Sequence, residues 1–384
     1  MRILYISTLK TVPWGGSEML WYQSALEALS SGYKVYVSIY DWPNLPAPLV
    51  ELKEKGAVII KRRRSLTIRQ RLIQKIGEKI GFGLAIDQYS RLRKLKPDIV
   101  VVTDGCTYYT ANDSKLSRFL LTNNNYFIIS QANSLSHRPV DRKSAIQLFQ
   151  RARQIIFVSE QNRTLATHQL AHKLSNTSVI QNPVVLNGFE MLPFPSLNTT
   201  IHIAVVGRLS VAEKGQDIIL RVFQNAFWKD KDFTVHFYGK GNDQQYLKEL
   251  IKFFGLENKV IIEGHISDIT NIWEQCHCLL MCSHIEGTPL SLLEAMVLGR
   301  VCIVTDAGGN KEWVKNKRNG FLAPHSTEES LLATMVEAWD MLPNWPSIAE
   351  MAHADIIKRL DKTPGRTLLT CLEVNSQTLA KKAQ

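Results

Sequence analysis

Short apolar, β-branched runs alternate with helix-length stretches almost from end to end of this chain, the signature of βαβ units and parallel sheets. The pattern predicts strands over 3–7, 33–39, 58–60, 99–103, 126–130, 155–158 and 179–181, which form one sheet. After Asn182-Pro183 the stretch VVLNGFEMLPFPSLNTT holds turn-forming residues and no sustained period, so residues 186–199 read as a linker. The alternation restarts over 201–206 and continues through 234–238, 260–262, 279–281 and 301–305. Two doubly wound α/β domains are therefore expected, 1–185 and 200–364. A further helix within 365–384 has a packing that the pattern does not assign. In such sheets ligands bind outside the carboxyl ends of the strands, so two facing domains would line a cleft with their loops.

Length agrees, since 384 residues exceed the size at which one core usually stops growing. With 45% hydrophobic and 21% charged residues, the composition is that of an ordinary globular protein. The opening MRILYISTL is too short for the apolar region of a signal peptide, and no apolar run reaches the roughly 18 residues of a membrane span. Six cysteines without a signal sequence read as reduced thiols, which makes the cytoplasm the expected location. Cys276, His277, Cys278 and Cys282 lie in CHCLLMCS, a strand whose alternate side chains point to opposite faces and do not converge on one ion.

The net charge of +11 is uneven: residues 51–100 hold 14 Lys or Arg against 5 Asp or Glu. Within 61–82, Ile68, Leu72, Ile76 and Ile80 recur at four-residue spacing among Arg69, Arg71, Lys75 and Lys79, which predicts a basic amphipathic helix. It suits either an anionic membrane surface, here the inner face of the plasma membrane, or a sheet-packing helix with its charges in water. Interleaved aromatics and recognised modules are missing, so nucleic acid is excluded as a partner.

Candidate chemistry sits in loops after strands. Gly15 and Gly16 precede a helix whose N-terminal N–H groups can receive an anion, with Ser17 placed to cap it. In the second domain, Gly207-Arg208-Leu209 and Glu213-Lys214-Gly215 bring a guanidinium fork and an ammonium to one strand-to-helix loop, suited to a diphosphate. EGTPLSLLEA puts Glu286 in a loop and Glu294 eight residues on, in a helix opened by Pro289; two carboxylates then flank one helix N-terminus, suited to sugar hydroxyls around a phosphate. Thr288 and Leu290 lie between them on the donor side. Gly308 and Gly309 offer close backbone approach, and Gly264, His265 and Ile266 can present backbone groups to a nucleobase.

GGSE at 15–18, GRL at 207–209 with KG at 214–215, and E-x7-E from Glu286 to Glu294 make nearly the whole chain resemble a retaining glycosyltransferase of family 4, within the glycosyl transferases group 1. The resemblance implies the GT-B architecture, two Rossmann-like domains facing across a cleft, the first for the acceptor and the second for a nucleotide-sugar donor. It implies Arg208 and Lys214 on the diphosphate, Glu286 on the transferred sugar and Glu294 on the ribose. It also implies no bound metal, a UDP- or GDP-sugar as donor, and a glycan or lipid-linked acceptor. Many relatives carry a His or Asp near the reacting carbon; here Gln131, Asn133, His137 and Asp104 are all open for that position. The family's frequent Pro before the Ser that precedes the first Glu is Cys282.

Other classes fit less well. A nicotinamide dehydrogenase would need G-x-G-x-x-G after a first strand, a phosphorylase a pyridoxal phosphate lysine, and an epimerase of this architecture lacks E-x7-E. An inert scaffold on the membrane would not need Arg208, Lys214, Glu286 and Glu294 together.

Overall fold

The computed structural model describes residues 1–63 and 88–377. Beyond residue 63, the basic helix expected within 61–82 lies outside the described residues. Lys61 and Arg62 themselves end a strand.

Contacts divide the chain into two units, Met1–Val158 with Arg163–Pro183 and Thr363–Gln384, and Ser159–Asn162 with Val184–Lys362. The first holds β1 (Arg2–Ser7), β2 (Lys34–Tyr40), β3 (Val58–Arg62), β4 (Ile99–Asp104), β5 (Tyr126–Ser130), β6 (Gln154–Phe157) and β7 (Thr177–Val179). They form one parallel sheet in the order β3-β2-β1-β4-β5-β6-β7. Its strands are apolar on both faces because helices cover both. Ile3, Val35, Val101 and Phe127 face Trp21 and Leu368 on one side, while Leu4, Val100 and Ile128 face Phe119 and Phe149 on the other.

The second unit holds β8 (Ile201–Val206), β9 (Phe233–Tyr238), β10 (Val260–Gly264), β11 (Cys278–Met281), β12 (Val301–Thr305) and β13 (Phe321–Ala323). All are parallel, in the order β10-β9-β8-β11-β12-β13. In each sheet the order reverses beside the first strand, between β1 and β4 and between β8 and β11. Such switch points splay the following loops apart and open a crevice at the carboxyl ends.

One reading differs from the pattern's, and the packing that the pattern left open at the C-terminus is supplied by the structure. The stretch expected as a linker over 186–199 packs on the second unit: Val184, Leu186, Phe189 and Leu192 lie against one core cluster of that unit and Phe194 and Leu197 against the other. The buried Arg300 pins it, donating to the carbonyls of Pro193 at 2.8 Å and Leu192 at 3.3 Å. Its apolar residues lack periodicity but still bury area. The C-terminal helix, Pro364–Gln377, belongs to the first unit. There Leu368, Leu369 and Leu372 join the core beside Trp21 and Ala25, and Tyr33 Oη donates to Glu373 Oε1 at 2.8 Å.

Candidate functional site

At the switch point of the second sheet, β8 is followed by Gly207 and β11 leads into the loop 282–288. After the short helix Val211–Lys214 the chain turns through Gly215, whose φ of 60° is left-handed. A side chain there would strike the carbonyl of Cys282, so glycine is what lets the two loops touch. They are also tied by the Glu213 carbonyl, which accepts from His284 N at 2.9 Å and Ile285 N at 3.3 Å.

This contact brings the predicted charges together. Lys214 Nζ donates to Glu286 Oε1. Arg208 Nη2 donates to Glu213 Oε2 at 2.5 Å, and Gln216 Nε2 holds the Arg208 carbonyl at 2.7 Å. Gly207, Lys214, Gln216 and Ser283 line a small pocket over the ends of β8 and β11. Only 6% of Glu286 is exposed, and its carbonyl accepts from Asn162 Nδ2 at 3.0 Å. Gly308, at φ 53°, lies against the carbonyls of Glu286 and Gly287, where a Cβ would collide. The two glycines at 308 and 309 thus seat the loop after β12 on the Glu286 loop.

Pro289 stands extended at the N-cap of the helix Leu290–Val297, whose first N–H groups receive no side-chain cap among the described residues. Thr288 is buried beside it and Leu290 half-buried. Glu294, one turn further on, is 7% exposed. Burial pushes its carboxyl up to about 7, and among the described residues no side chain or backbone group donates to that carboxyl. A carboxylate so placed is stabilised by a ligand that brings hydroxyl donors.

The loop after β10 is shaped by a register irregularity between Ile262 and Gly264. Gly264, at φ 82°, already accepts at its carbonyl from Gly239 N at 2.7 Å, and Ile266 packs on the core. His265 is exposed.

In the first unit Gly15 and Gly16 follow β1 as expected. Ser17 does not cap the helix Met19–Ser30, because a 3-10 turn, Gly16–Glu18, intervenes and leaves Glu18 at the N-cap. Glu18 is buried, accepts from Trp21 Nε1 at 3.1 Å, and burial raises its carboxyl to about 7. Two of the acceptor-side candidates are committed to the chain itself. Asp104 is fully buried and accepts from Thr110 N at 3.0 Å and Thr110 Oγ1 at 2.5 Å. Asn133 donates to Gln169 Oε1 and accepts from Ser134 N, both at 2.9 Å. His137 Nδ1 lies 2.6 Å from Ser134 Oγ. Gln131 differs: it is 3% exposed and, among the described residues, neither atom of its amide has a partner.

With this geometry in place, comparison with known proteins shows what the second unit is similar to. Residues 200–340 match the family described as glycosyl transferases group 1, a segment that contains Arg208, Lys214, Glu286 and Glu294. Full-length likeness to a solved structure decides the architecture: the chain aligns over 100% of its length and 99% of the Anabaena protein HepE, solved in complex with UDP, with a TM-score of 0.67 at 18% identity. The fold is GT-B. Curated relatives of this GT-B chain include an uncharacterized glycosyltransferase of Haemophilus influenzae, 30% identical over 50% of this chain and 52% of the relative. Another is the lipopolysaccharide 1,6-galactosyltransferase of Salmonella typhimurium, 26% identical over 60% and 62%. The chain spans about half the length of the curated relatives it matches.

Some of this GT-B site was not visible in the sequence. Asn162, Gln216 and the Glu213 carbonyl brace the charged residues, and no spacing signalled them. The Lys214–Glu286 pair joins residues 72 positions apart.

Proposed function

We propose that this chain is a retaining glycosyltransferase of family 4, moving a hexose from a UDP- or GDP-sugar to a glycan or lipid-linked acceptor in cell-surface polysaccharide or glycolipid synthesis at the cytoplasmic face of the membrane. The observation that carries the reading is Glu294, a buried carboxyl without a partner among the described residues, one helical turn from an uncapped helix N-terminus and in the same loop system as the Lys214–Glu286 pair. Paired hydroxyls of a ribose supply the donors Glu294 lacks. The diphosphate then meets Arg208, Lys214 and the helix N-terminus. Glu286 faces the transferred sugar.

The chemistry asked of these residues is orientation and charge. As the bond from the sugar to the diphosphate breaks, negative charge grows on the leaving oxygen. Arg208 and Lys214 stabilise it without needing a divalent metal. The acceptor hydroxyl attacks from the face the diphosphate leaves, which retains the configuration. Support for the donor class comes from the UDP in the Anabaena structure, and for the acceptor class from the lipopolysaccharide substrate in the name of the Salmonella relative.

The test incubates purified protein with UDP- and GDP-hexoses and a panel of simple and lipid-linked glycosides, reading nucleotide release and the product's anomeric configuration by NMR. Transfer with the donor's configuration kept is the expected result. An inverted product would overturn retention, and no transfer or donor hydrolysis with any pair would favour an inert scaffold.

A further inference from the structure

A second charged site lies in the first unit, at the edge of its sheet away from the carboxyl ends. Asn123 and Asn124 precede β5, Arg151 and Arg153 precede β6, and these four residues line an open depression of about 260 Å³. Its lining holds two guanidinium groups and no carboxylate. Arg153 is half-buried and braced, its Nε donating to the Asn124 carbonyl at 3.0 Å. Asn123 is likewise fixed, its Nδ2 donating to the Phe119 carbonyl at 2.7 Å. Among the described residues no acceptor meets the two terminal nitrogens of Arg153, and no carboxylate pairs with Arg151.

The surrounding chain sharpens this. Residues 114–183 contain nine Lys or Arg against Asp141 and Glu160 alone, a local excess of seven. This basic region is separate from the one at 51–100. A pre-oriented guanidinium fork and a second guanidinium in one concavity match the oxygens of a phosphate group, which takes parallel N–H donors from arginine. The space also admits bridging waters of about 30 Å³ each.

We infer that the Asn123–Asn124–Arg151–Arg153 depression binds a phosphate group, as a phosphate ester or diphosphate, separately from the site after β8 and β11. The inference does not rest on the proposed transferase activity. The phosphate could belong to a soluble ester or to a lipid headgroup, and the two sources separate by experiment.

The experiment is done in protein carrying Arg208→Ala and Lys214→Ala, so that the other cationic loop does not compete. Pyrophosphate and inorganic phosphate are titrated calorimetrically at two ionic strengths. Arg151→Ala with Arg153→Ala should weaken binding at least tenfold, and Arg153→Lys, which keeps the charge but not the fork, should weaken it severalfold. A control pair, Arg142→Ala with Lys143→Ala, removes the same charge about 12 Å away along the helix Arg142–Arg151 and should leave binding within twofold. In a parallel arm, vesicles of phosphatidylglycerol with phosphatidylcholine are floated with the protein. Flotation lost in the pocket variant and competed by pyrophosphate assigns the phosphate to a headgroup; pyrophosphate binding without pocket-dependent flotation assigns it to a soluble ester. Absence of binding in both arms overturns the site, and so does equal loss in the pocket and control variants, which would show a diffuse field.

Discussion

Lys214 and Glu286, 72 residues apart in the chain, meet in an ion pair between the loops that follow β8 and β11. The Glu286 side chain is only 7% exposed and that of Lys214 22%, so this pair is shielded well beyond a surface salt bridge. Its existence depends on backbone contact through Gly215, and it places both charges at the switch point before any ligand arrives.

Removing one partner should therefore cost more than removing both. Lys214→Ala leaves Glu286 without its cation and is expected to destabilise the second unit by about 1–3 kcal/mol. Lys214→Ala with Glu286→Gln should recover most of that loss. Urea denaturation of the four proteins in a double-mutant cycle measures the coupling; simple additivity would mean the pair contributes nothing.

Gln131 gives a prediction with the opposite sign. A buried amide with two unpaired ends is a liability to the free protein, so Gln131→Leu is expected to hold or raise stability, by up to about 1–2 kcal/mol. Thermal unfolding checks it, and a loss of stability would show that the amide is already satisfied.

The imidazoles of the second unit predict a pH dependence. Burial lowers His202, with His236 adding to it, and burial lowers His277. Their folded values thus lie below the unfolded value of about 6.5. The unfolded chain binds more protons in that range, so the stability these groups contribute is present above about pH 6.5 and is lost as pH falls. The buried carboxyls of Glu18, Asp104 and Glu294, raised to about 7, act in the opposite sense and are common to wild type and variant, so thermal unfolding at pH 7.5 and 5.5 is compared between the two. Acidification should penalise His277→Asn less than wild type, and an identical pH response would exclude His277 as a source.

Metal removal separates the proposed chemistry from its alternatives. With Arg208 and Lys214 taking the leaving charge, EDTA treatment is expected to leave transfer within about twofold, whereas Arg208→Ala should lower it by about 10²–10³. A collapse of activity in EDTA, restored by a divalent cation, would assign part of that role to a metal.

Much of the architecture was legible because parallel strands buried on both faces are continuous apolar runs. All twelve predicted strands overlap observed ones. The missing one, β13 at Phe321–Ala323, is three residues long and has no room for a period. Glu286 and Glu294 were legible as a spaced pair, but their unlike states were not. Glu286 meets a lysine through a tertiary contact, while Glu294 is buried on a helix whose apolar neighbours Leu293, Ala295 and Met296 announce burial without showing the missing partner. The packing of the segment 186–199 and of the final helix was not legible for a common reason: what each packs against lies far away in the chain.

The central claim is that Glu294 receives the ribose of a nucleoside diphosphate. Calorimetric titration of UDP and GDP into wild-type protein and Glu294→Gln tests it most directly. One nucleotide should bind the wild type at least tenfold more tightly than it binds the variant, whose fold should be intact by circular dichroism. Equal affinity in the two proteins, or no binding of either nucleotide to the wild type, would contradict it.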